Sequence, residues 1–476
     1  MLSFDATTLA AYRAGSTPQG KAQGISDSLG SGTLTVELRD GATLMYSGDF
    51  AGPLVVGADG SLSRDVVPTG LALVAGTANA STWICRIRNA AGTRTMTGPI
   101  GAGSGHFTLA APLEVGQGVR LNISIAAATA GAGDGRPAWR DAMSLWQWTQ
   151  LAGTAAFSGV TPAANPGGAY NSRLDAWNGF TAKGSSVYIA GMGGHGDYAG
   201  NEAYRLDLSV ATPAWAILRQ PTPAAQVQLD VSYYLDGRPS SAHLYYSLHA
   251  VGNELLRTMN GSQWGDGQHS DTKVVAFDLA TNDWRAAGTY PDAPATGFAR
   301  SICVDPRDGT IYFTGGTALH SRNPTTGVWT QRATWPENGT ALYYRASAVD
   351  TLRNRVVFFG NAYIPSNGGL VYDIASGVMS AIAFSGTGLS AVVAEAGNTA
   401  WYDSGLDRFL VKTPSGNALY TVNPTTWECA ALSTSGGSAI ANAVNGVFNK
   451  FVYVPLLGGY YYQPSHASNG WFLASE

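Results

Sequence analysis

Two glycine-rich segments of the chain carry most of the side chains that could bind a ligand. Residues 191–202 read GMGGHGDYAGNE, and residues 257–272 read RTMNGSQWGDGQHSDT. The residues of interest in them are His195, Asp197, Tyr198, Trp264, Asp266 and His269. Aromatic rings stack on sugar faces, while carboxylates and imidazoles hydrogen-bond to sugar hydroxyls. If the fold brings the segments together, they predict a binding site for a glycan or surface receptor; otherwise the aromatic residues pack onto the strands beneath them.

Carboxylates in the same segments raise the possibility of glycan cleavage. The four candidates are Asp197, Glu202, Asp266 and Asp271. Two carboxylates that flank a glycosidic bond can act as acid and base or nucleophile. Asp and Gly also mark tight turns, which explains the same residues without catalysis. We therefore expect no enzymatic activity and keep a glycan depolymerase as an alternative.

Other catalytic and metal-binding patterns are missing from the sequence. There is no GxSxG nucleophile elbow, no GxxxxGK[ST] phosphate loop and no CxxC or HExxH spacing. A copper site would need cysteine, tyrosine and histidine in register, but Cys303 and Cys429 are better explained as small core residues. The expectation is a protein without a metal or cofactor.

Composition narrows the class of protein. The chain has 476 residues, 60 of them glycine, with only 13% charged residues and a net charge of −4. These values are typical of a β-rich protein with more than one domain. Because no basic stripe is present, we expect no nucleic-acid partner. Three scattered cysteines do not form a disulfide framework, and we expect neither a standard secretion signal nor membrane insertion.

Residues 1–128 predict a small β-sandwich. Leu34, Val36 and Leu38 alternate with polar residues, and similar alternation occurs over residues 83–88 and 121–125. Alternation of this kind, broken by DG, GADG and NAAG turns, is typical of antiparallel strands with one buried face. A short helix capped by Asp5 or Thr7 precedes them. The glycine-rich residues 129–145 are predicted to be a linker.

Residues 146–476 contain a repeated pair of hairpins. One recurs as FDLATNDW (277–284), YDIASGVM (372–379) and YTVNPTTW (420–427), with an aromatic and a bulky residue seven positions apart. The other recurs as DPRDGTI (305–311), DTLRNRV (350–356), DSGLDRF (403–409) and NGVFNKF (445–451). Two hairpins make four strands, and a four-stranded repeat of roughly 45–50 residues is the length of a β-propeller blade.

Counting these repeats predicts six blades, with seven as the alternative. The segment 146–153, WQWTQLAG, has no blade of its own and is expected to complete the last sheet as its outermost strand. The tryptophans that end the hairpins are expected to pack between blades: Trp215, Trp284, Trp329 and Trp427. Blades one and two are longer than the others, and their extra length is the two glycine-rich segments where a binding site is predicted.

Three arginines are expected near one mouth of the propeller channel. Arg173, Arg300 and Arg345 could meet an anionic sugar there. The competing interpretation is that they hydrogen-bond to backbone carbonyls of neighbouring blades. We include Arg300 and Arg345 among the candidate ligand-binding residues.

The blade sequences resemble the kelch repeat over residues 146–476. The matching features are AGMGG at 190–194, FTGG at 313–316 and the tryptophan that follows the FDLATNDW type of turn. The resemblance implies a kelch-like β-propeller, which together with the sandwich predicted for residues 1–128 makes the chain all-β. It does not imply a particular activity, because a fold hosts many functions.

Residues 1–128 resemble a small domain common among tailed-bacteriophage virion proteins. The resemblance lies in GSGTLTVELRDG, ASTWICRIRNAAGTRTMTGPIG and HFTLAAPLEVGQGVRLNISI, in that order. It implies a virion protein made in the host cytoplasm and released by lysis, which docks to other virion proteins through residues 1–128. We expect a homo-oligomer on the particle whose propeller contacts the host surface. A purely structural role in capsid decoration or tail assembly is the alternative.

Overall fold

The chain forms two compact units, Met1–Gly135 and Arg136–Glu476. The computed structural model describes residues 3–4, 18–40, 43–56, 61–66, 83–91, 95–99, 107–109, 119–124, 136–157, 160–258, 261–267, 269–295, 297–315, 317–334, 343–359, 368–394 and 396–475. Within these residues, no helix has the length and apolar character needed to span a bilayer. Each unit is described by itself.

The described part of the first unit contains two antiparallel sheets and one helix. The five-stranded sheet has the order Ser3–Phe4, Thr95–Pro99, Trp83–Asn89, Thr33–Asp40 and Thr43–Ala51. The four-stranded sheet has the order Val55–Val56, Ser61–Val66, Val119–Ser124 and Phe107–Leu109. The helix is Pro18–Leu29, whereas the helix predicted near Asp5 or Thr7 lies outside the described residues. All three predicted strands are present, and the packing of the sheets as a sandwich stays a prediction.

One strand of the first unit, Thr33–Asp40, buries polar as well as apolar side chains. Leu34 and Val36 are buried, as their alternation predicts, but Glu37 between the strand's apolar positions is also covered. The cross-strand neighbour Arg88 donates to the Glu37 carboxylate at 3.2 Å. A buried carboxylate needs such a partner, so both faces of this strand are in contact with other parts of the unit.

The second unit is a six-bladed β-propeller of four-stranded antiparallel sheets. From the innermost strand outwards, blade 1 is Thr181–Lys183, Ser186–Ala190, Ala203–Asp207 and Trp215–Arg219; blade 2 is Leu248–Val251, Glu254–Arg257, Val275–Asp278 and Asp283–Trp284; blade 3 is Ile302–Val304, Ile311–Gly315, Ala318–Arg322 and Trp329–Thr334. Blade 4 is Ser347–Asp350, Arg355–Phe358, Gly368–Asp373 and Met379–Ala383; blade 5 is Thr399–Asp403, Arg408–Lys412, Leu419–Val422 and Cys429–Ala431. Blade 6 is Phe451–Val454, Gly459–Tyr462, Gly470–Ala474 and Trp148–Leu151. The predicted count of six is confirmed.

Other regular segments of the propeller unit are short. The helices and 3-10 turns are Ala138–Asp141, Ala155–Phe157, Ser172–Asp175, Ala224–Gln226, Leu389–Ala394, Phe448–Lys450 and Pro455–Leu457. A two-stranded sheet pairs Ala242–His243 with Gly261–Gln263. This small sheet lies outside the blades and helps to organise the long segment of blade 2.

Blade 6 closes the ring with a strand from the start of the propeller unit. Trp148–Leu151 pairs antiparallel with Gly470–Ala474, with Trp148 opposite Leu473. The predicted closing strand is therefore confirmed. Just before it, in the region predicted as a linker, Arg140 is buried and donates to the carbonyls of Leu457 at 2.6 Å and Gly458 at 2.8 Å. Residues 136–145 thus belong to the propeller unit, and residues 129–135 lie outside the described residues.

One predicted hairpin of blade 6 is wrong. NGVFNKF (445–451) does not join the first and second strands, because Phe451 begins the innermost strand and the turn follows at 455–458. The polar and apolar residues have the right spacing, but Val447 and Phe448 are buried at the centre of the propeller. A local pattern cannot distinguish an apolar residue that faces a sheet from one that faces the channel.

Interblade packing of the tryptophans is only partly as predicted. Trp215 is buried with its ring 4.8 Å from that of Phe157 and 6.4 Å from that of Tyr461 in blade 6. Trp284 is buried and donates to the Asn201 carbonyl at 3.0 Å, which links blade 2 to blade 1. Trp329 and Trp427 are half-buried. The guanidinium of Arg355 in blade 4 lies 4.8 Å from the Trp427 ring.

Aromatic side chains close one end of the central channel. We call Tyr245, Tyr246, Tyr344 and Phe448 the channel plug; they come from the segments before the innermost strands of blades 2, 4 and 6. The Phe448 ring lies 5.2 Å from the rings of Tyr245 and Tyr246 and 6.0 Å from that of Tyr344. The Tyr246 hydroxyl donates across the channel to the carbonyl of Asn398 in blade 5 at 2.7 Å. Side chains from three blades and a backbone carbonyl from a fourth therefore meet on the axis.

Lys450 lies beside the plug, and its burial should make the stability of the protein depend on pH. It is fully buried and donates to the carbonyls of Val444 and Gly446. Burial lowers the pKa of Lys450 to about 7, an effect that Asp175 opposes. The pKa of an unfolded lysine is about 10.4, so the unfolded chain binds more protons between the two pKa values and stability rises with pH above about 7.

Between about pH 7 and 8.5, the titration of Lys450 should raise the free energy of unfolding by about 1–2 kcal/mol. Denaturant unfolding of the full chain and of Lys450→Met at several pH values measures it. The variant removes the donor to two carbonyls and also removes the titrating group, so its pH slope in this window should be flatter. Equal slopes in the two proteins would contradict the prediction.

Candidate functional site

The fold brings the two glycine-rich segments together. The His195 backbone N–H donates to the carbonyls of Ser262 at 3.0 Å and Gln263 at 2.8 Å, and the Gly265 N–H donates back to the His195 carbonyl at 3.1 Å. Gly194 has a φ of +81°, and a Cβ there would lie 2.2 Å from the Ser262 carbonyl oxygen. Glycine is required at this close approach. The loops of blades 1 and 2 thus form one continuous surface.

Several side chains of this surface are accessible. We call His195, Asp197, Trp264, Asp266 and His269 the loop platform. Asp266 and His269 are exposed, while His195, Asp197 and Trp264 are half-buried. The backbone of Trp264 is held on both sides, because its N–H donates to Ser241 at 3.0 Å and its carbonyl accepts from the Asp230 N–H at 2.8 Å. The sequence prediction that these residues are neighbours agrees with this geometry.

A hydrogen-bonded chain runs from the platform to the channel plug. His243 Nε2 lies 2.8 Å from Asp197 Oδ2, and His243 Nδ1 lies 3.1 Å from the Tyr245 hydroxyl. Because a carboxylate only accepts, the neutral imidazole carries its proton on Nε2 and accepts at Nδ1 from Tyr245. Burial lowers the pKa of His243, and the bond to Asp197 partly opposes that shift. The Trp177 ring packs on the imidazole at 4.9 Å.

His243 and Tyr245 are not among the residues predicted from the sequence. They occur in SAHLYY, residues 241–246, outside the two glycine-rich segments. Spacing gives no signal for this pair, because the strand ends at His243 and Tyr245 lies in a turn with a φ of +46°. Their partner Asp197 is 46 positions away from His243, and no local pattern indicates that pairing.

Tyr198 supports the platform from below. It is fully buried, and its hydroxyl donates to Glu202 Oε1 at 2.9 Å. Tyr204 donates to the same oxygen at 3.1 Å, and Arg173 Nη1 donates to the Tyr204 hydroxyl at 2.7 Å. Burial raises the pKa of Glu202, although hydrogen bonds and the charge of Arg173 oppose the shift. Tyr198 therefore cannot stack on a surface-bound sugar, contrary to its predicted role.

The three predicted channel arginines are buried. Arg173 donates to the carbonyls of Tyr170 at 2.9 Å and Val160 at 3.3 Å. The Arg300 guanidinium lies 4.5 Å from the Tyr343 ring, and Arg345 is 1% exposed. Arg173 therefore bonds to backbone carbonyls, as in the competing interpretation, but these carbonyls belong to its own segment and not to a neighbouring blade. None of the three offers an accessible guanidinium to an anionic sugar.

The four carboxylates considered for glycan cleavage have different surroundings. Glu202 is buried, and Asp197 is bound to His243. Asp271 accepts from Gln263 Nε2 at 2.8 Å, which leaves Asp266 as the exposed member of the set. Within the described residues, no three His, Cys, Asp or Glu side chains are grouped so that they could hold a metal ion.

The fold and the platform define a six-bladed β-propeller with one elaborated face formed by blades 1 and 2. No protein-family model matches the chain, and no curated protein shows significant similarity to it.

Proposed function

We propose that the chain is a bacteriophage virion protein whose kelch-like propeller binds a glycan or another receptor on the host surface through the loop platform. The observation that carries the binding role is the half-buried Trp264, whose backbone is bridged to His195 in the loop that also carries Asp197. The virion role is supported by the sequence resemblance of residues 1–128, and the kelch type by that of residues 146–476.

The platform chemistry suits a sugar ring. An indole face covers the apolar face of a pyranose, and carboxylate and imidazole groups at its edge hydrogen-bond to hydroxyls. The loops are fixed before binding, because His195 and Trp264 are already tied to neighbouring segments through their backbones. Binding then loses little loop entropy. Many copies on a symmetric particle would turn weak single contacts into firm attachment.

Adsorption of the full chain to host cells and host polysaccharide tests the proposal. Replacing Trp264 with alanine removes the stacking surface, and we expect a loss of affinity of at least about tenfold, as for other aromatic hot spots. Asp197→Asn should weaken binding by a smaller factor. Val378→Ala is the control, since Val378 is 56% exposed on the turn between the outer two strands of blade 4, at the other end of the strands.

Three other outcomes of the adsorption experiment would contradict the proposal or indicate a different role. Wild-type affinity in both Trp264→Ala and Asp197→Asn would remove the loop platform from the proposal. Failure of the wild-type chain to adsorb would favour capsid decoration or tail assembly. A fall in polymer length during incubation would establish a depolymerase.

A further inference from the structure

Four segments of the propeller unit meet around Trp264. Two of them are the glycine-rich segments of blades 1 and 2. The third is the segment 161–171, which lies close to the indole, since a Cβ on Gly167 would be 3.3 Å from Trp264 Cζ2. The fourth, residues 220–237, is attached through Asp230, whose backbone N–H donates to the Trp264 carbonyl at 2.8 Å. These four segments therefore set the electrostatic surroundings of the Trp264 ring.

The four segments supply acidic side chains and no basic ones. No lysine or arginine occurs in residues 161–171, 191–202, 220–237 and 261–272. The acidic residues in them are Asp197, Glu202, Asp230, Asp236, Asp266 and Asp271. Arg257 and Lys273 flank the last segment, but both are engaged elsewhere. Arg257 is fully buried and donates to the carbonyls of Gly191 and Ser240 at 2.8 Å, and Lys273 donates to Asp292 at 2.7 Å.

Three of these carboxylates border Trp264 at the surface. Asp197 is bound to His243, and burial lowers the pKa of His243, so the imidazole is a neutral donor that leaves the carboxylate charge uncompensated. The Asp230 carboxylate lies against Gly265, where a Cβ would overlap Asp230 Oδ1. Asp230 and Asp266 are both exposed. The indole is therefore surrounded by accessible groups that accept hydrogen bonds and carry negative charge.

We infer that the loop platform, in the binding role proposed above, selects glycans without negative charge, and that Asp230 and Asp266 determine this selectivity. Trp264 covers the face of a sugar ring, and the carboxylates accept from its hydroxyls, because an ionised carboxylate cannot donate. A uronic or sialic acid on the indole would bring a like charge within roughly one Debye length, about 8 Å in physiological salt, of these carboxylates. Repulsion at that distance disfavours the acidic sugar. Neutral hexoses and N-acetylhexosamines offer hydroxyl donors without this repulsion.

Chemically matched forms of one host polysaccharide test the charge selectivity of the full chain. Carbodiimide-coupled borohydride reduction makes its uronic acids neutral, nitroxyl-catalysed oxidation turns its hydroxymethyl groups into carboxylates, and methyl esterification of the oxidised form removes the charge again. At about pH 8, above the usual titration range of histidine, we expect the oxidised form to bind at least about tenfold more weakly than the reduced form. Esterification should restore binding, and about 0.5 M NaCl should diminish the difference, because salt screens exposed charges.

The double variant Asp230→Asn with Asp266→Asn identifies the residues responsible. Asparagine has nearly the same shape as aspartate and tolerates the φ of +55° at position 230. This variant should bind the oxidised form at least about fivefold more tightly than the wild type does, with less than about a twofold change for the reduced form. Asp308→Asn is the control, because Asp308 is exposed in the turn between the first two strands of blade 3, at the other end of the strands. It should leave both affinities unchanged.

The possible outcomes distinguish loss of charge selectivity from loss of the binding role. If Trp264→Ala weakens binding of every form but the wild type binds oxidised and reduced forms equally, the platform binds a ligand without selecting its charge, and our inference is overturned. An unchanged ratio of the two affinities in the double variant would overturn it as well. Adsorption to host cells without binding to any form of the polysaccharide would contradict a glycan ligand. Failure of the wild-type chain to adsorb at all would remove the proposed function and the selectivity together.

Discussion

Replacing Trp148 with alanine lowers the free energy of unfolding by about 3–5 kcal/mol, the range for a fully buried tryptophan. Trp148 is 2% exposed, and its ring packs against Phe451 and Tyr462 at 6.1 Å. Its indole N–H donates to Thr434 Oγ1 at 3.1 Å. The substitution leaves a cavity in blade 6, the sheet that joins the two ends of the propeller unit. The circle of blades then loses a contact that keeps it closed.

Denaturant unfolding of the full chain, followed by intrinsic fluorescence and by circular dichroism, measures this effect. Gln150→Ala is the matched control, because Gln150 lies two residues further along the same strand and is exposed. The control should change stability by less than about 0.5 kcal/mol, as for other surface substitutions. Similar losses in the two variants would mean that Trp148 is not a key part of the closure.

Replacing Arg173 with methionine is expected to cost about 3–5 kcal/mol at neutral pH, because it leaves the buried Glu202 without a nearby positive charge. Arg173 is 2% exposed and lies 4.9 Å from the Phe157 ring. Its charge opposes the effect of burial, which raises the pKa of Glu202. Without Arg173 the folded-state pKa of Glu202 rises further.

The sign of the pH dependence follows from that shift. A carboxyl whose folded pKa is above its unfolded value favours folding at low pH, and this contribution is lost as pH rises through the folded pKa. The difference in stability between wild type and Arg173→Met should therefore be smallest near about pH 4, where only the lost hydrogen bonds to Tyr170, Val160 and Tyr204 contribute, and grow towards neutral pH. Unfolding measurements across this range test the prediction.

A double variant separates charge from packing at this position. Glu202→Gln keeps an oxygen that accepts from Tyr198 and removes the charge. Arg173→Met with Glu202→Gln should regain part of the stability lost in Arg173→Met and lose most of its pH dependence. If the double variant is as unstable as the sum of the two single changes, the two residues are not coupled and the prediction is wrong.

The spacing of aromatic residues predicted strand pairing where the turn is short. Phe277 pairs with Trp284 and Tyr372 with Met379, seven positions apart in both hairpins, as the repeats indicate. The rule fails in blade 5, where Tyr420 pairs with Ala431 and Trp427 lies in the turn with a φ of +61°. A spacing specifies a register only when the turn type is the same.

The platform shows how far a residue pattern predicts a site. Glycine-rich extra length correctly placed His195 and Trp264 in neighbouring loops, since insertions in a propeller can only extend from the ends of its strands. Whether a side chain in such a loop is accessible was not predictable. Tyr198 differs from its neighbour Asp197 mainly in facing inwards, where Glu202 accepts its hydroxyl.

Local chemistry in the chain was enough for the repeat and the number of blades, because both depend on alternation, turn residues and counting within about 50 positions. The closing strand followed from that count, because residues 146–153 are left without a blade of their own. Burial of Arg300 and Arg345, the channel plug and the Asp197–His243–Tyr245 chain came only with the tertiary structure. Each of these features depends on side chains from different blades that meet around a common axis. Tyrosine, histidine and arginine suit either a surface or a bonded interior position, so their location is decided by the neighbours that the closed ring supplies.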